Sequence, residues 1–286
     1  MKKDELLRIA IAYDFDGTLA PGNMQEHSFI PSLGISKEDF WAEANAMARR
    51  HDMDEILAYM QLMLIKSAER QIPIRRSDFS RYGADIAFFP GVSDYFDRIN
   101  AYAGEKGIMI DHHIISSGLR EMVQGTPIAR FFRNIFASGF KYNEAGVAEW
   151  AALAINYTNK TQYLFRINKG IDNAWDNSTI NKFTPDEKRP LPFGRMIYIG
   201  DGETDVPAMK MLRYQGGGTI AVYRPDAPPL PGKLSPEALC RDLLMHKRVD
   251  HIAPADYRKD SPLIKIIQLL IDRISINYQL QLPHAP

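Results

Sequence analysis

The sequence predicts an α/β fold, a doubly wound parallel sheet with an α-helical domain inserted into it. Three observations carry that expectation. Short apolar runs bounded by Gly, Asp or Ser recur along the chain, the pattern of strands buried on both faces. Helix-forming segments lie between most of them, as a parallel sheet covered on both sides requires. A long stretch, 22–88, breaks the alternation with helix formers and no strand-like run.

Ile9–Tyr13 is the first apolar run and is far too short to cross a membrane. Within the 22–88 stretch, Lys37–Arg50 and Asp52–Arg70 are rich in Ala, Met, Leu, Glu and Arg and read as helices. Ser36 is placed to cap the first of them, with Asp39 in the capping-box region. Pro90-Gly91 then marks the return to the sheet. Val92–Gly104 reads as a helix, His112–Ile115 as a strand, Arg120–Phe132 as a helix and Ile135–Ala137 as a strand. Tyr163–Ile167 is strand-like, and Asn168–Arg195, with Trp175, Pro185, Pro190 and Pro192, reads as a loop. Met196–Ile199, Thr219–Val222 and Val249–Ile252 complete the strands, with Val206–Leu212 a helix between the first pair. Leu263–Ile276 is apolar but interrupted at helical spacing by Lys265, Gln268, Asp272 and Arg273, so it is an amphipathic helix. Ser261 and Pro262 suit its first turn. Its apolar face is expected to dock on the core or to build a dimer interface.

A chain of 286 residues with 45% hydrophobic residues suits roughly two domains and excludes global disorder. The balance of 35 Lys and Arg against 35 Asp and Glu argues against a nucleic-acid-binding surface or an electrostatic membrane anchor. A single cysteine, Cys240, excludes an intramolecular disulfide framework. The start Met-Lys-Lys-Asp-Glu lacks the long apolar region of a signal peptide, so cytoplasmic residence is the expectation.

Chemistry concentrates at the strand ends. Asp14 and Asp16 follow the first strand, separated by one residue and followed by Gly17, which permits a tight turn. Asp201 and Asp205 follow the Met196–Ile199 strand four residues apart, an oxygen donor set that suits a hard cation such as Mg²⁺. Ser116 follows Ile114-Ile115 and precedes a helix whose first N–H groups could cradle a phosphate. Lys169 follows the strand-like 163–167 run and could neutralise a phosphate or the crowded carboxylates. His112-His113 is structural, because successive strand residues face opposite sides. Arg49, Arg50, Arg75 and Arg76 read as a solvated surface of the helical insert, and Tyr157, Tyr163 and Trp175 as packing or loop anchors.

Asp14-Phe15-Asp16-Gly17-Thr18, Ser116, Lys169 and Gly200-Asp201-Gly202-Glu203-Thr204-Asp205 together resemble the phosphatase branch of the haloacid dehalogenase (HAD) superfamily, over Ile9 to Val222. The helical stretch resembles its C1-type cap of the phosphoserine-phosphatase-like group, re-entering at Phe88-Phe89-Pro90-Gly91. The resemblance implies a Rossmann-like core at 1–21 and 89–286 and a cap at 22–88. It implies an Mg²⁺-dependent phosphatase acting on a small phosphorylated metabolite, with no nucleic-acid or membrane partner. Asp14 would be the nucleophile and Asp16 the general acid and base. Gly17, Thr18, Ser116 and Lys169 would bind the phosphate, and Asp14, Asp16, Asp201 and Asp205 would serve the metal. Asp205 would orient a metal-bound water or Lys169. Asn23 stands where phosphoserine phosphatases carry a specificity glutamate, with Glu26 nearby but out of position. A phosphotransferase or phosphomutase of the same superfamily, and a non-catalytic metal- or phosphate-binding regulator, stay open as alternatives.

Overall fold

The computed structural model describes residues 6–225, 227 and 234–281; the Met1–Glu5 start read for targeting lies outside them. Its strands are β1 (Leu7–Tyr13), β2 (Ile108–Leu119), β3 (Phe132–Tyr142), β4 (Ala148–Leu153), β5 (Met196–Gly200), β6 (Gly218–Tyr223) and β7 (His251–Pro254). They form a seven-stranded sheet in the order β4-β3-β2-β1-β5-β6-β7. All neighbours are parallel except β3 and β4, which pair antiparallel.

Because side chains alternate along a strand, β1 feeds two cores. Ile9, Ile11 and Tyr13 join the cluster with Val92, Tyr95, Phe96 and Ile99 of α5 (Val92–Gly104). Leu263, Ile267, Leu270 and Ile271 of α11 (Pro262–Gln281) belong to the same cluster. Ala10 and Ala12 face the other cluster, with Tyr163, Leu164 and Ile167 of α7 (Lys160–Lys169). That cluster also takes Ala208, Met209 and Leu212 of α9 (Val206–Tyr214), and Cys240 and Leu243 of α10 (Pro236–Met245). The sheet is therefore covered on both faces, as the alternation of apolar runs and helices predicts. The amphipathic α11 docks onto this core, where each fully buried Leu or Ile contributes about 1.5–3 kcal/mol relative to exposure. Asp272 on its outer edge accepts from Tyr102 and pairs with Lys106.

Between β1 and β2 the chain forms α1 (Phe29–Ser32), α2 (Lys37–His51), α3 (Glu55–Glu69) and α4 (Arg76–Ala84). Ser36 caps α2 by accepting from the Asp39 N–H at 3.0 Å. Asp54 caps α3, accepting from the Ile56 and Leu57 N–H groups. These helices share the α5 and α11 core: Phe79 of α4 stacks on Phe140 of β3 at 6.0 Å between centroids. Phe89 closes the excursion, its N–H donating to Leu19 O at 3.0 Å.

Departures from the sequence reading are local. The strand-like Tyr163–Ile167 run is helical, in α7. Its buried Tyr163, Leu164 and Ile167 fall on one helix face, and a short apolar run is ambiguous until its neighbours are known. Arg120–Phe132 is broken into α6 (Arg120–Gly125) and a 3-10 turn at Ala129–Phe131. The 168–195 loop contains α8 (Asn177–Asn181), and its Trp175 is 79% exposed, so it anchors nothing. β4 carried no expectation, because exposed Glu149 and Trp150 break its apolar pattern. Among the described residues no helix is long and apolar enough to cross a membrane.

Candidate active site

The register of β1 against β5 pairs Tyr13 with Ile199, so the two acidic loops leave the sheet side by side. The Asp14 N–H extends the pairing, donating to Ile199 O at 2.9 Å. Asp14 is buried, with Oδ1 accepting from the Phe15 N–H at 2.7 Å and Oδ2 facing Lys160 Nζ at 3.0 Å. Lys160 opens α7, and its ammonium also donates to Asp205 Oδ1 at 2.7 Å. Tyr198 donates to that same oxygen at 2.7 Å, and Asp205 Oδ2 accepts from the Asp201 N–H at 3.2 Å. Asp205 thus acts as a strut that ties Lys160 and Tyr198 to the Asp201 turn.

The close approaches depend on glycine. Gly17 has a φ of +74°, a conformation that side chains disfavour, and a Cβ there would collide with the Asp201 carboxylate. Asp16 points the other way: its Oδ1 accepts from the Met24 N–H at 2.9 Å. Thr18 is buried with its main-chain O accepting from the Tyr257 hydroxyl at 3.0 Å, while its Oγ1 has no partner among the described residues. Ser116 lies near the end of β2, where its Oγ accepts from the Gly118 N–H at 3.0 Å.

Electrostatics follow from this crowding. Burial, opposed by Lys160 and assisted by Asp205, pushes Asp14 up to about 6. Burial and then the Asp14 charge push Asp16 well above the carboxylate range. Asp201 is raised as well, by burial and then by Asp14 and Asp205. Lys160 is raised despite burial, because Asp14 and Asp205 favour its charged form.

Strand-end acids at a parallel sheet, joined to a buried lysine, are a recognisable arrangement. A family model described as haloacid dehalogenase-like hydrolase matches residues 11–210, well over half of the chain. The chain belongs to this family. An uncharacterized protein of Borreliella burgdorferi (strain ATCC 35210 / DSM 4680 / CIP 102532 / B31) is 27% identical over 288 residues, covering 89% of this chain and 93% of that protein. Among solved structures, a HAD family hydrolase from Salmonella enterica subsp. enterica serovar Typhi is similar at 17% identity, with a TM-score of 0.57. That match covers 94% of this chain and 73% of the other. A substrate-bound phosphoserine phosphatase is similar at 12% identity and a TM-score of 0.55, over 93% of this chain and 100% of that one. Both are likenesses of fold.

This haloacid dehalogenase-like hydrolase has a donor set that fits a hard divalent cation. Asp14, Asp201 and Asp205 each offer a carboxylate oxygen, and these oxygens lie within 4.8 Å of one another. No other side chain among the described residues donates to the Asp201 carboxylate. Lys160 lies against both Asp14 and Asp205, so of the three the Asp201 carboxylate is the one left without a side-chain partner among the described residues.

The lysine is the main correction. Lys169 lies at the far end of α7, where its Nζ donates to Ile180 O and Lys182 O, each at 2.6 Å. Reading 163–167 as a strand placed Lys169 at a strand end. As a helix the same segment presents its first residue, Lys160, to the carboxylates. A signal was present: a lysine at a helix N-terminus opposes the helix dipole, so something outside the helix must favour it. Glu26 is engaged elsewhere, accepting from Asn23 Nδ2 and Trp41 Nε1, each at 2.8 Å. His112 is buried between the Tyr13 hydroxyl and Asn100 Oδ1, each at 2.9 Å, a structural role as expected.

Proposed function

We propose that this hydrolase cleaves a phosphate monoester of a small metabolite, with Asp14 as nucleophile, Asp16 as general acid and base, and Mg²⁺ as cofactor. The observation that carries the reading is the Asp14 carboxylate, buried and held at one oxygen by the Phe15 N–H and at the other by Lys160. A nucleophile must be ionised and aimed, and these contacts do both.

Attack by Asp14 on phosphorus forms an aspartyl-phosphate and expels the alcohol, which takes a proton from Asp16. Asp16 then accepts a proton from the water that hydrolyses the intermediate. The division of roles is supported by the two environments. Lys160 and the Phe15 N–H favour the charged form of Asp14, which lies near 6, whereas burial and the Asp14 charge push Asp16 well above the usual range and so favour the protonated form that can donate. Lys160 replaces Lys169 as the cation beside the transferring phosphoryl group. The Thr18 and Ser116 hydroxyls are left to meet its oxygens, because the Gly17 and Thr18 N–H groups donate to Ala20 O at 2.7 Å and Phe15 O at 3.3 Å within the turn. When bound by Asp14, Asp201 and the Asp16 main-chain carbonyl, Mg²⁺ would offset the repulsion between anionic nucleophile and anionic ester.

Phosphate release from a panel of phosphorylated metabolites and an aryl phosphate, with Mg²⁺, tests the reading. Activity that disappears in Asp14→Asn and in excess EDTA is the expected result. A flat panel in which the wild type and Asp14→Asn are indistinguishable would overturn it.

A further inference from the structure

Around Asp16, buried polar groups from several elements converge. Tyr59 of α3 donates to Ser117 O at 2.7 Å, reaching from the helical segment to the end of β2. Its hydroxyl lies beside Gln25 and Ser138 and within the fields of Asp16 and Glu121. Gln25 and Glu121 are each 2% exposed; Gln25 Oε1 has no hydrogen-bond partner among the described residues, and the Glu121 carboxyl has the Tyr142 hydroxyl beside it. Ser117 Oγ is orphaned as Gln25 Oε1 is. Ser138 Oγ accepts from the Ile155 N–H at 2.9 Å. Glu121 Oε1 faces Arg120 at 3.8 Å. Buried polar atoms without partners are costly, so a cluster of them beside the loop after β1 calls for a ligand.

The chemistry of the cluster selects that ligand. Gln25 Oε1, Glu121 Oε2 and the seryl oxygens accept hydrogen bonds. The buried lysine of the site is committed to Asp14 and Asp205. Arg120 is turned toward Glu121. A leaving group carrying a second anion would meet Asp16 and Glu121; one carrying hydroxyls would satisfy the orphaned acceptors. We propose that the leaving group is a small polyhydroxylated alcohol, so that the substrate is a polyol or sugar phosphate, with Gln25, Tyr59, Ser117 and Glu121 setting specificity.

This inference rests on the phosphatase reading, and its test separates the two. Glycerol phosphate and n-propyl phosphate differ by the hydroxyls alone. A site built to bond hydroxyls rejects the analogue lacking them strongly, so wild-type kcat/KM should favour glycerol phosphate by about 100-fold or more. Phosphoserine, with its carboxylate, should be a poor substrate. In Gln25→Leu and in Glu121→Gln the glycerol-to-propyl preference should fall at least about tenfold, corresponding to loss of a buried hydrogen bond. Should one variant not fold, the other carries the comparison. A wild-type preference below about threefold, or one that survives in the variants, overturns the proposal. If no ester is turned over, the phosphatase reading fails and the cluster is tested by binding instead. A melting-temperature rise with glycerol phosphate, absent with n-propyl phosphate and lost in Gln25→Leu, upholds it. No such rise overturns it.

Discussion

The Lys160 ammonium donates to Asp205 Oδ1 at 2.7 Å, tying the first residue of α7 to the loop after β5. The same ammonium stands 3.0 Å from Asp14, so one buried cation links the loops that follow β1 and β5. Both partners of the pair are essentially without solvent exposure. Water cannot screen it, and loss of either charge leaves the other buried and unpaired.

Lys160→Met is therefore expected to lower kcat by about 10²–10³ or more, the scale for removing a preorganised electrostatic contact. Breaking a buried ion pair from one side also costs about 3–5 kcal/mol of stability. Lys169→Met, which removes only contacts to the Ile180 and Lys182 carbonyls, should keep kcat within about threefold. Steady-state assays and urea titrations of the two variants check this; equal losses of activity would contradict the assignment of Lys160.

Asp201→Asn should stabilise the protein without metal while removing activity. The folded-state pKa of Asp201 lies above its unfolded value, so its contribution to stability is present at low pH and lost as pH rises through the folded value. Burial and the neighbouring Asp14 and Asp205 make the charged form of this group unfavourable, a liability that the amide relieves. In EDTA the melting temperature should rise by about 2–4 °C, the equivalent of about 1 kcal/mol in a domain of this size. Added Mg²⁺ should stabilise the wild type more than the variant.

Gly17→Ala should be damaging for two separable reasons. The φ of +74° disfavours a side chain, and the new methyl would collide with the Asp201 carboxylate. Activity should fall at least about 100-fold, the scale expected when a mutation misplaces reacting groups by about 1 Å. An Mg²⁺ titration followed by melting temperature should show weakened binding; unchanged binding would contradict the role given to this turn.

His112 should steepen acid unfolding. Burial, and then the neighbouring His113, depress its pKa to about 3. The unfolded chain takes up the proton near 6.5, so the stability contributed by neutral His112 is full above about 6.5 and lost as pH falls toward 3. The pH dependence of unfolding free energy between those limits should be shallower in His112→Asn than in the wild type. Parallel curves would show that His112 does not contribute.

Much of this arrangement was legible in the sequence. Asp14, Asp16, Asp201 and Asp205 were found because a buried parallel strand announces itself by composition, and the residues just past its end are forced to the ligand-binding edge. The 22–88 helices were legible through their helix formers and the Ser36 cap. Lys160 was missed because Tyr163–Ile167 is too short for periodicity to separate helix from strand. An error of one element type moved the expected cation by a whole helix length. Gln25, Tyr59 and Glu121 were missed for another reason. Each lies on a different element, and nothing in its neighbours along the chain marks it as buried.

The sequence by itself determined the parallel strands of the sheet, the acidic strand-end loops and the family, because these depend on composition and spacing over a few residues. The tertiary structure decided which lysine meets Asp14, that Asp205 is a strut as much as a metal candidate, and which polar groups lie buried beside Asp16. These depend on distances between segments far apart in the chain. Such distances are set by how helices pack on a sheet and by the registers of β1 against β5 and β2. No local pattern encodes them.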